Sequence, residues 1–109
     1  MNEYEVVRNP WVDNDLDNLC AYIIKEFADP FAAKNTLSRI VKAMDSLQFA
    51  PERGAVQGVD KNHHSIRSVS VGSQAIIFSI DNDNRRVEII AVVYGKRNIS
   101  QLLNGLLSR

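Results

Sequence analysis

The chain has 109 residues, 45% of them hydrophobic and 24% charged, and its acidic and basic side chains balance to a formal net charge of zero. This composition is typical of a single folded domain over residues 1–109, and the zero balance argues against a protein that coats nucleic acid generally. No apolar run reaches the roughly 18–20 residues that span a bilayer, and the N-terminus lacks the pattern of a signal peptide, so we expect a cytoplasmic protein without a membrane partner.

The charges are unevenly distributed along the chain. Residues 1–62 contain seven Lys/Arg and ten Asp/Glu, whereas residues 63–109 contain six Lys/Arg and three Asp/Glu. The C-terminal part therefore has a positive balance, which would attract phosphates or an acidic segment of a partner. The alternative is a chance bias on an average surface.

A short strand and an amphipathic helix are the first predicted elements. Residues 4–8 alternate in part, which predicts a strand, and Asn9 and Pro10 then predict a helix start, with Asn9 as the cap. The apolar face of this helix recurs every three or four residues and consists of Val12, Leu16, Leu19, Ile23 and Phe27. Cys20 lies beside that face. A single cysteine excludes an internal disulfide, and we interpret it as a buried thiol rather than a nucleophile.

The second predicted helix covers residues 30–48. Asp29 and Pro30 again place a cap before a proline in the first turn, and Pro51 ends the helical pattern. The apolar stripe of this helix consists of Ala33, Leu37, Ile40, Val41, Met44 and Leu47. Because only about two residues separate the two helices, we expect an antiparallel helical hairpin.

Three strands are predicted after a loop. Residues 51–63 are polar and show no period, which indicates a loop, and residues 65–71, 74–80 and 86–94 are predicted strands joined by tight turns. The last strand is apolar enough to be buried on both faces. A strand, a helical hairpin and an antiparallel meander together predict the α+β class, and residues 99–107 predict a short helical tail.

Several short segments, taken together, resemble the RelE/ParE superfamily of toxins from bacterial type II toxin–antitoxin modules, which stabilise plasmids. The matching segments are the acidic helix at residues 13–27, Pro30-Phe31-Ala32-Ala33, and residues 47–54, 66–72 and 92–98. The resemblance implies a compact toxin with an antiparallel sheet and a cognate antitoxin, with which it would form a hetero-oligomer. It also implies two alternative targets, since the RelE branch cleaves mRNA on the ribosome and the ParE branch acts on DNA gyrase.

Three basic residues match positions of the family. Arg67 matches a Lys or Arg on the first strand of the meander, and Arg97, with Lys96 beside it, matches the Arg that follows the last strand. All three are candidates for binding a phosphate or a partner, and Arg67 and Arg97 are weak catalytic candidates, because cations stabilise charge that develops on a phosphate. The alternative is that both arginines pair with carboxylates or with the chain terminus at a strand end.

Two departures from the nuclease pattern favour the ParE branch. The Arg of the family's nucleases on the second meander strand is Ala75 here, and its aromatic neighbours are Gln74 and Phe78. Their terminal Tyr, or an equivalent acid or base, falls near Leu103, which has no titratable group. We therefore favour a toxin that inhibits growth by binding gyrase, and we expect no cofactor or metal. An mRNA interferase with a remodelled site and a purely regulatory member stay open as alternatives.

Other candidates lie near the meander and in the tail. His64 is a weak catalytic candidate because imidazole exchanges protons near neutral pH, although His63 and His64 are more often surface residues of a loop. Tyr94 is a candidate for stacking on a base or filling a partner pocket, and packing at the edge of the core is its alternative. The tail either docks on the protein's own sheet or contributes to a groove for an antitoxin helix. Its candidate antitoxin-binding residues are Leu102, Leu103 and Leu106.

Overall fold

A computed structural model describes residues 3–94 of the chain. Its helices are α1 (Val12–Phe27) and α2 (Pro30–Ser46), followed by a 3-10 turn at Pro51–Arg53. Its strands are β1 (Glu5–Arg8), β2 (Ala55–Val59), β3 (Ser65–Val71), β4 (Gln74–Asp81) and β5 (Arg86–Tyr94). The predicted α+β class, with an N-terminal strand, two helices and an antiparallel meander, is confirmed. The predicted helical tail lies outside the described residues.

The five strands form one sheet in the order β1-β5-β4-β3-β2. Successive strands from β2 to β5 pair antiparallel, as expected for a meander with short turns. β1 pairs with β5 in parallel, with Val6 opposite Val87. The sequence did not predict this pairing, because it joins segments from opposite ends of the described chain.

The predicted loop over residues 51–63 is wrong in its middle, where β2 lies at the edge of the sheet. Its register with β3 shifts between Val56 and Gly58, so a bulge interrupts the alternation by which a strand is recognised. Gly58 has a φ of 155°, a backbone conformation that favours glycine. The bulge and the shortness of the strand hid β2 from the sequence pattern.

The two helices begin in different ways. At α2 the prediction is confirmed, because the Asp29 carboxylate accepts hydrogen bonds from the backbone N–H groups of Phe31 (3.0 Å) and Ala32 (3.1 Å). At α1 the predicted Asn9 cap is wrong. The helix begins at Val12, and the Asn9 amide instead donates to Glu88 Oε2 at 3.0 Å on β5. Asp13 and Asp15 place negative charge in the first turn, which has no side-chain cap. This charge stabilises the helix by a favourable interaction with the positive end of its dipole.

The main core lies between the helices and one face of the sheet, which we call the helix-covered face. Four residues of the predicted α1 stripe are buried there, as are Ala33, Ile40, Met44 and Leu47 of the second stripe. The prediction that Phe27 lies in the core is wrong. The residue is 66% exposed, because the buried stripe of α1 ends at Ile23. Cys20 is half-buried against this core.

The opposite side of the sheet, which we call the open face, has a second and smaller apolar cluster. Its buried members are Ile66, Ile77, Ile90 and Ala91. Because β5 contributes buried side chains to both clusters, the prediction of a strand buried on two sides is confirmed. Within residues 3–94, no helix is both long enough and apolar enough to cross a membrane.

Candidate functional site

Arg67 lies on β3 and holds the segment that precedes β2. Its Nη1 donates to the backbone carbonyls of Glu52 (2.8 Å) and Gly54 (3.0 Å), and its Nε donates to Ser65 Oγ at 3.2 Å. A guanidinium has five N–H groups, so three are used within the protein and the two on Nη2 are left for other contacts. The structure therefore gives Arg67 a structural contact that neither sequence interpretation contained.

The close packing beside Arg67 depends on Gly54. A Cβ added at Gly54 would lie 2.8 Å from Phe78 Cζ and 3.0 Å from the Ser68 carbonyl oxygen. These distances are too short for any other residue unless the Phe78 ring and the β3 backbone move. Gly54 thus allows the chain to pass close enough for the Arg67 hydrogen bonds to form.

His64 lies between two carboxylates. Its Nδ1 is 3.6 Å from Asp60 Oδ2, and its Nε2 is 3.7 Å from Asp81 Oδ2. Hydrogen bonds from the side chain and backbone of Asn84 hold the pKa of Asp81 below its usual value, and His64 adds a smaller effect in the same direction. His64 therefore joins the β2–β3 loop to the end of β4. His63 beside it is exposed, with a left-handed φ of 64°.

The other predicted site residues lie at or beyond the end of β5. Tyr94 is the last residue of β5 and pairs in register with Gln74. Five candidates lie outside the described residues, namely Lys96, Arg97, Leu102, Leu103 and Leu106. Their roles stay predictions, and the geometry that can be described is that of the sheet leading to them.

The open face contains no acid or base in register with Ala75. Ala75 pairs with Ser70 on one side and with Val93 on the other, so it lies on an internal strand, near the β3–β4 turn. The surrounding residues of the face are Ile66, Ser68, Ile77, Ala91 and Val93. None of them can donate or accept a proton near neutral pH. In the described part of the chain, the residues in register with Ala75 thus offer no group able to activate a ribose hydroxyl.

A bulge in the middle of β5 was missed by the sequence pattern. Ile77 pairs with Ala91 and Phe78 pairs with Ile89, which leaves Ile90 as an extra residue. The Ile90 carbonyl accepts a hydrogen bond from Trp11 Nε1 at 2.9 Å, and Asp15 Oδ2 accepts one from the Val92 N–H at 3.4 Å. The first turn of α1 therefore fixes the end of β5. An unbroken apolar run gives no signal for such a bulge.

Residues 6–99 match the ParE toxin of the parDE type II toxin–antitoxin system. The chain belongs to this toxin family. A search of curated protein sequences finds no match to the toxin.

Solved structures show the same fold. The chromosomal ParDE system of P. aeruginosa aligns with 88% of the toxin and all of the matched chain, at 14% identity and a TM-score of 0.69. The RelBE2 toxin–antitoxin complex of Mycobacterium tuberculosis aligns with 89% of the toxin and 97% of the matched chain, at 20% identity and a TM-score of 0.61. A mutant of E. coli RelE in the free state aligns with 98% of the toxin and 97% of the matched chain, at 13% identity and a TM-score of 0.63. The resemblance read from the sequence is confirmed at the level of superfamily and fold.

Proposed function

We propose that the toxin inhibits growth by binding an essential target, DNA gyrase, rather than by cutting RNA. The observation that carries this proposal is the part of the open face beside the β3–β4 turn, where Ala75, Ser70 and Val93 provide neither a cation nor a proton-transfer group. Metal-independent RNA cleavage needs a base, an acid and charge stabilisation around one phosphate. The match to the ParE toxin family supports the same choice.

His64 and Arg67 do not supply the missing chemistry on that face. Arg67 pairs in register with Phe78, whose side chain belongs to the core between the sheet and the helices, so Arg67 lies on the helix-covered face. Its hydrogen bonds to Glu52 and Gly54 direct it toward the edge of the sheet. His64 is held by two carboxylates at the β2–β3 loop. Both residues have partners inside the protein, and this favours structural roles for them.

A cognate antitoxin is the second part of the proposal. The P. aeruginosa structure is of a ParDE system, and the M. tuberculosis structure is a toxin–antitoxin complex. We propose that this toxin likewise forms a hetero-oligomer with an antitoxin, which would bind near Tyr94, Lys96 and Arg97 and along Leu102, Leu103 and Leu106. An apolar helix face on a groove is a common way to bury such a leucine-rich surface.

The test is a supercoiling assay with purified gyrase. We expect the purified toxin to block supercoiling and the antitoxin to restore it, because a complex would cover the surface that binds the target. A matched variant carries Lys96→Glu and Arg97→Glu and should inhibit at least about tenfold less well, since charge reversal weakens an interface whose charges match. Lys61→Glu in the β2–β3 loop serves as the control for a charge change elsewhere.

Two outcomes would contradict the proposal. Unchanged supercoiling at saturating, folded toxin would remove gyrase as the target. Primer-extension mapping of transcripts after induction is the second measurement, because cleavage within ribosome-bound mRNA appears only for a nuclease. Such cleavage would establish the RelE-type alternative.

A further inference from the structure

A cleft of about 600 Å³ runs along the outer side of α2. It is lined by Ala32, Asn35, Thr36, Ser38, Arg39 and Lys42. No lining residue is acidic, and none has a large apolar side chain. The Arg39 guanidinium reaches toward the β3–β4 turn, where its Nη1 would lie 4.0 Å from a Cβ added at Gly72. The cleft is therefore formed by one side of α2, from which Arg39 reaches toward a turn of the sheet.

The polar groups of this cleft have no partners within the described residues. Thr36 is only 8% exposed, yet its hydroxyl makes no hydrogen bond with any residue from 3 to 94. Arg39 and Lys42 form no ion pair within the same range. The buried polar atoms without a partner in the described residues do not include the Thr36 hydroxyl, so it is open to a ligand from outside. Cations placed side by side repel each other, and a bound anion with several oxygens would remove this repulsion and accept from the hydroxyl.

The spacing of the donors suits a chain of phosphates. Asn35, Arg39 and Lys42 follow at intervals of four and three residues, which places them on one side of the helix. At a rise of roughly 1.5 Å per residue, this row covers about 10 Å along the helix axis. Arginine, lysine, hydroxyl and amide donors are the groups that contact phosphates in protein–DNA complexes. Four donor residues on the rim of the cleft are exposed, so a polymer backbone can lie along it. These residues are Asn35, Ser38, Arg39 and Lys42.

We infer that this cleft binds the phosphodiester backbone of duplex DNA. The inference rests on the proposed function in one respect: gyrase holds DNA, so a toxin on gyrase meets duplex DNA beside its target. An acidic peptide fits less well, because peptide grooves generally anchor large apolar side chains and no such pocket lines the cleft. The contact is local, since the whole chain has no net charge and two cations face the cleft.

The experiment measures fluorescence anisotropy of a labelled 20-base-pair duplex titrated with the purified full-length toxin. Binding through Arg39 and Lys42 should weaken with salt at a slope of about −2 on a logarithmic plot, because each neutralised phosphate contributes about −0.9. The double variant Arg39→Gln, Lys42→Gln should bind about tenfold more weakly. Thr36→Val keeps the side-chain shape, removes the hydroxyl, and should weaken binding about threefold.

A matched control removes the same charge elsewhere. Lys25→Gln with Lys61→Gln neutralises two exposed lysines outside the cleft and should bind DNA like the wild type. Equal losses in this control and in the cleft variant would overturn the inference, as would the absence of binding at 50 mM salt. Further overturning results are tighter binding of a single-stranded RNA of equal length, or displacement of the duplex by inorganic phosphate or poly-glutamate at matched charge.

Gyrase binding without DNA separates this inference from the proposed function. If the toxin binds gyrase subunits in a pull-down but shows no cleft-dependent affinity for DNA, the proposed target is supported and the DNA site is contradicted. Toxin that binds DNA through the cleft but not gyrase would keep the site and remove the target. The cleft variants should retain their affinity for gyrase in this assay, because they change only the DNA contact.

Discussion

Ile76 and Ile77 are neighbours on β4, both fully buried, and they lie on opposite faces of the sheet. Ile76 belongs to the large cluster to which both helices contribute, whereas the cluster around Ile77 contains residues of β3, β4 and β5 alone. The helix-covered face thus provides most of the packing that holds the described fold together. The open face has a smaller cluster, and its four buried side chains are no more exposed than those of the main core.

The largest expected effect comes from truncation on the helix-covered face. Ile76→Ala should lower the free energy of unfolding by about 3–5 kcal/mol, because helix and sheet side chains surround the cavity on all sides. Ile77→Ala removes the same atoms on the open face and should cost about 2–3 kcal/mol. Chemical denaturation of the two variants gives the comparison directly. A larger loss for Ile77→Ala would mean that the open face is the main core.

Overpacking at the edge of the helix-covered face should have the next largest effect. Gly54→Ala brings a methyl group against Phe78 Cζ and the Ser68 carbonyl, and we expect a loss of about 1–3 kcal/mol. The matched control is Ala55→Ser at the exposed neighbouring position, which should change stability by less than about 0.5 kcal/mol. If Gly54→Ala is as stable as the wild type, the segment before β2 is less tightly packed than the distances indicate.

Loss of the Arg67 hydrogen bonds should cost about 1–2 kcal/mol, since charged donors to carbonyls are stronger than neutral ones but these are partly exposed. Arg67→Gln is the test, with Lys61→Gln as the control, and thermal unfolding is the measurement. The variant should leave gyrase inhibition by the remaining folded protein unchanged. If a fully folded Arg67→Gln protein no longer inhibits gyrase, Arg67 binds the target or a phosphate, as predicted from the sequence.

The smallest effect concerns Tyr4, whose hydroxyl lies 3.0 Å from Glu52 Oε1 and 2.7 Å from Asn82 Oδ1. Burial raises the pKa of Tyr4 above its usual value, and the hydrogen bond and charge of Glu52 act in the same direction. A raised pKa stabilises the fold below pH 10, and this contribution is lost as the pH rises through the pKa of the folded state. Tyr4→Phe should cost about 1 kcal/mol at pH 7 and remove that alkaline loss. If the wild type and Tyr4→Phe lose stability equally as the pH rises above 10, the raised pKa of Tyr4 is contradicted.

Local signals in the sequence were enough for most of the fold. The Asp29 cap, the two helical stripes apart from Phe27, and the three predicted strands β3, β4 and β5 depend on residues within a few positions of each other, and they are confirmed. Features that depend on distant partners were missed. The Asn9 side chain binds Glu88 instead of the helix start, and β1 pairs in parallel with a strand about eighty positions later.

The candidate site was predictable in composition but not in geometry. The missing nuclease groups at Ala75 could be read from the sequence, and the register shows that its neighbours supply no replacement. The hydrogen bonds of Arg67 to carbonyls could not be read, because backbone acceptors are the same at every position. The cleft on α2 was also missed, since a stripe of polar residues on a helix ordinarily indicates a solvated face.

Trp11 and Asp15 tie the start of the first helix to backbone groups of β5 that lie 79 and 77 positions later in the chain. The part of β5 nearest in sequence to Lys96 and Arg97 is consequently held by residues at the start of the first helix. A genetic screen for lost toxicity should therefore recover substitutions at Trp11 and Asp15. Such hits would report on the position of the last strand, because both side chains form hydrogen bonds with its backbone.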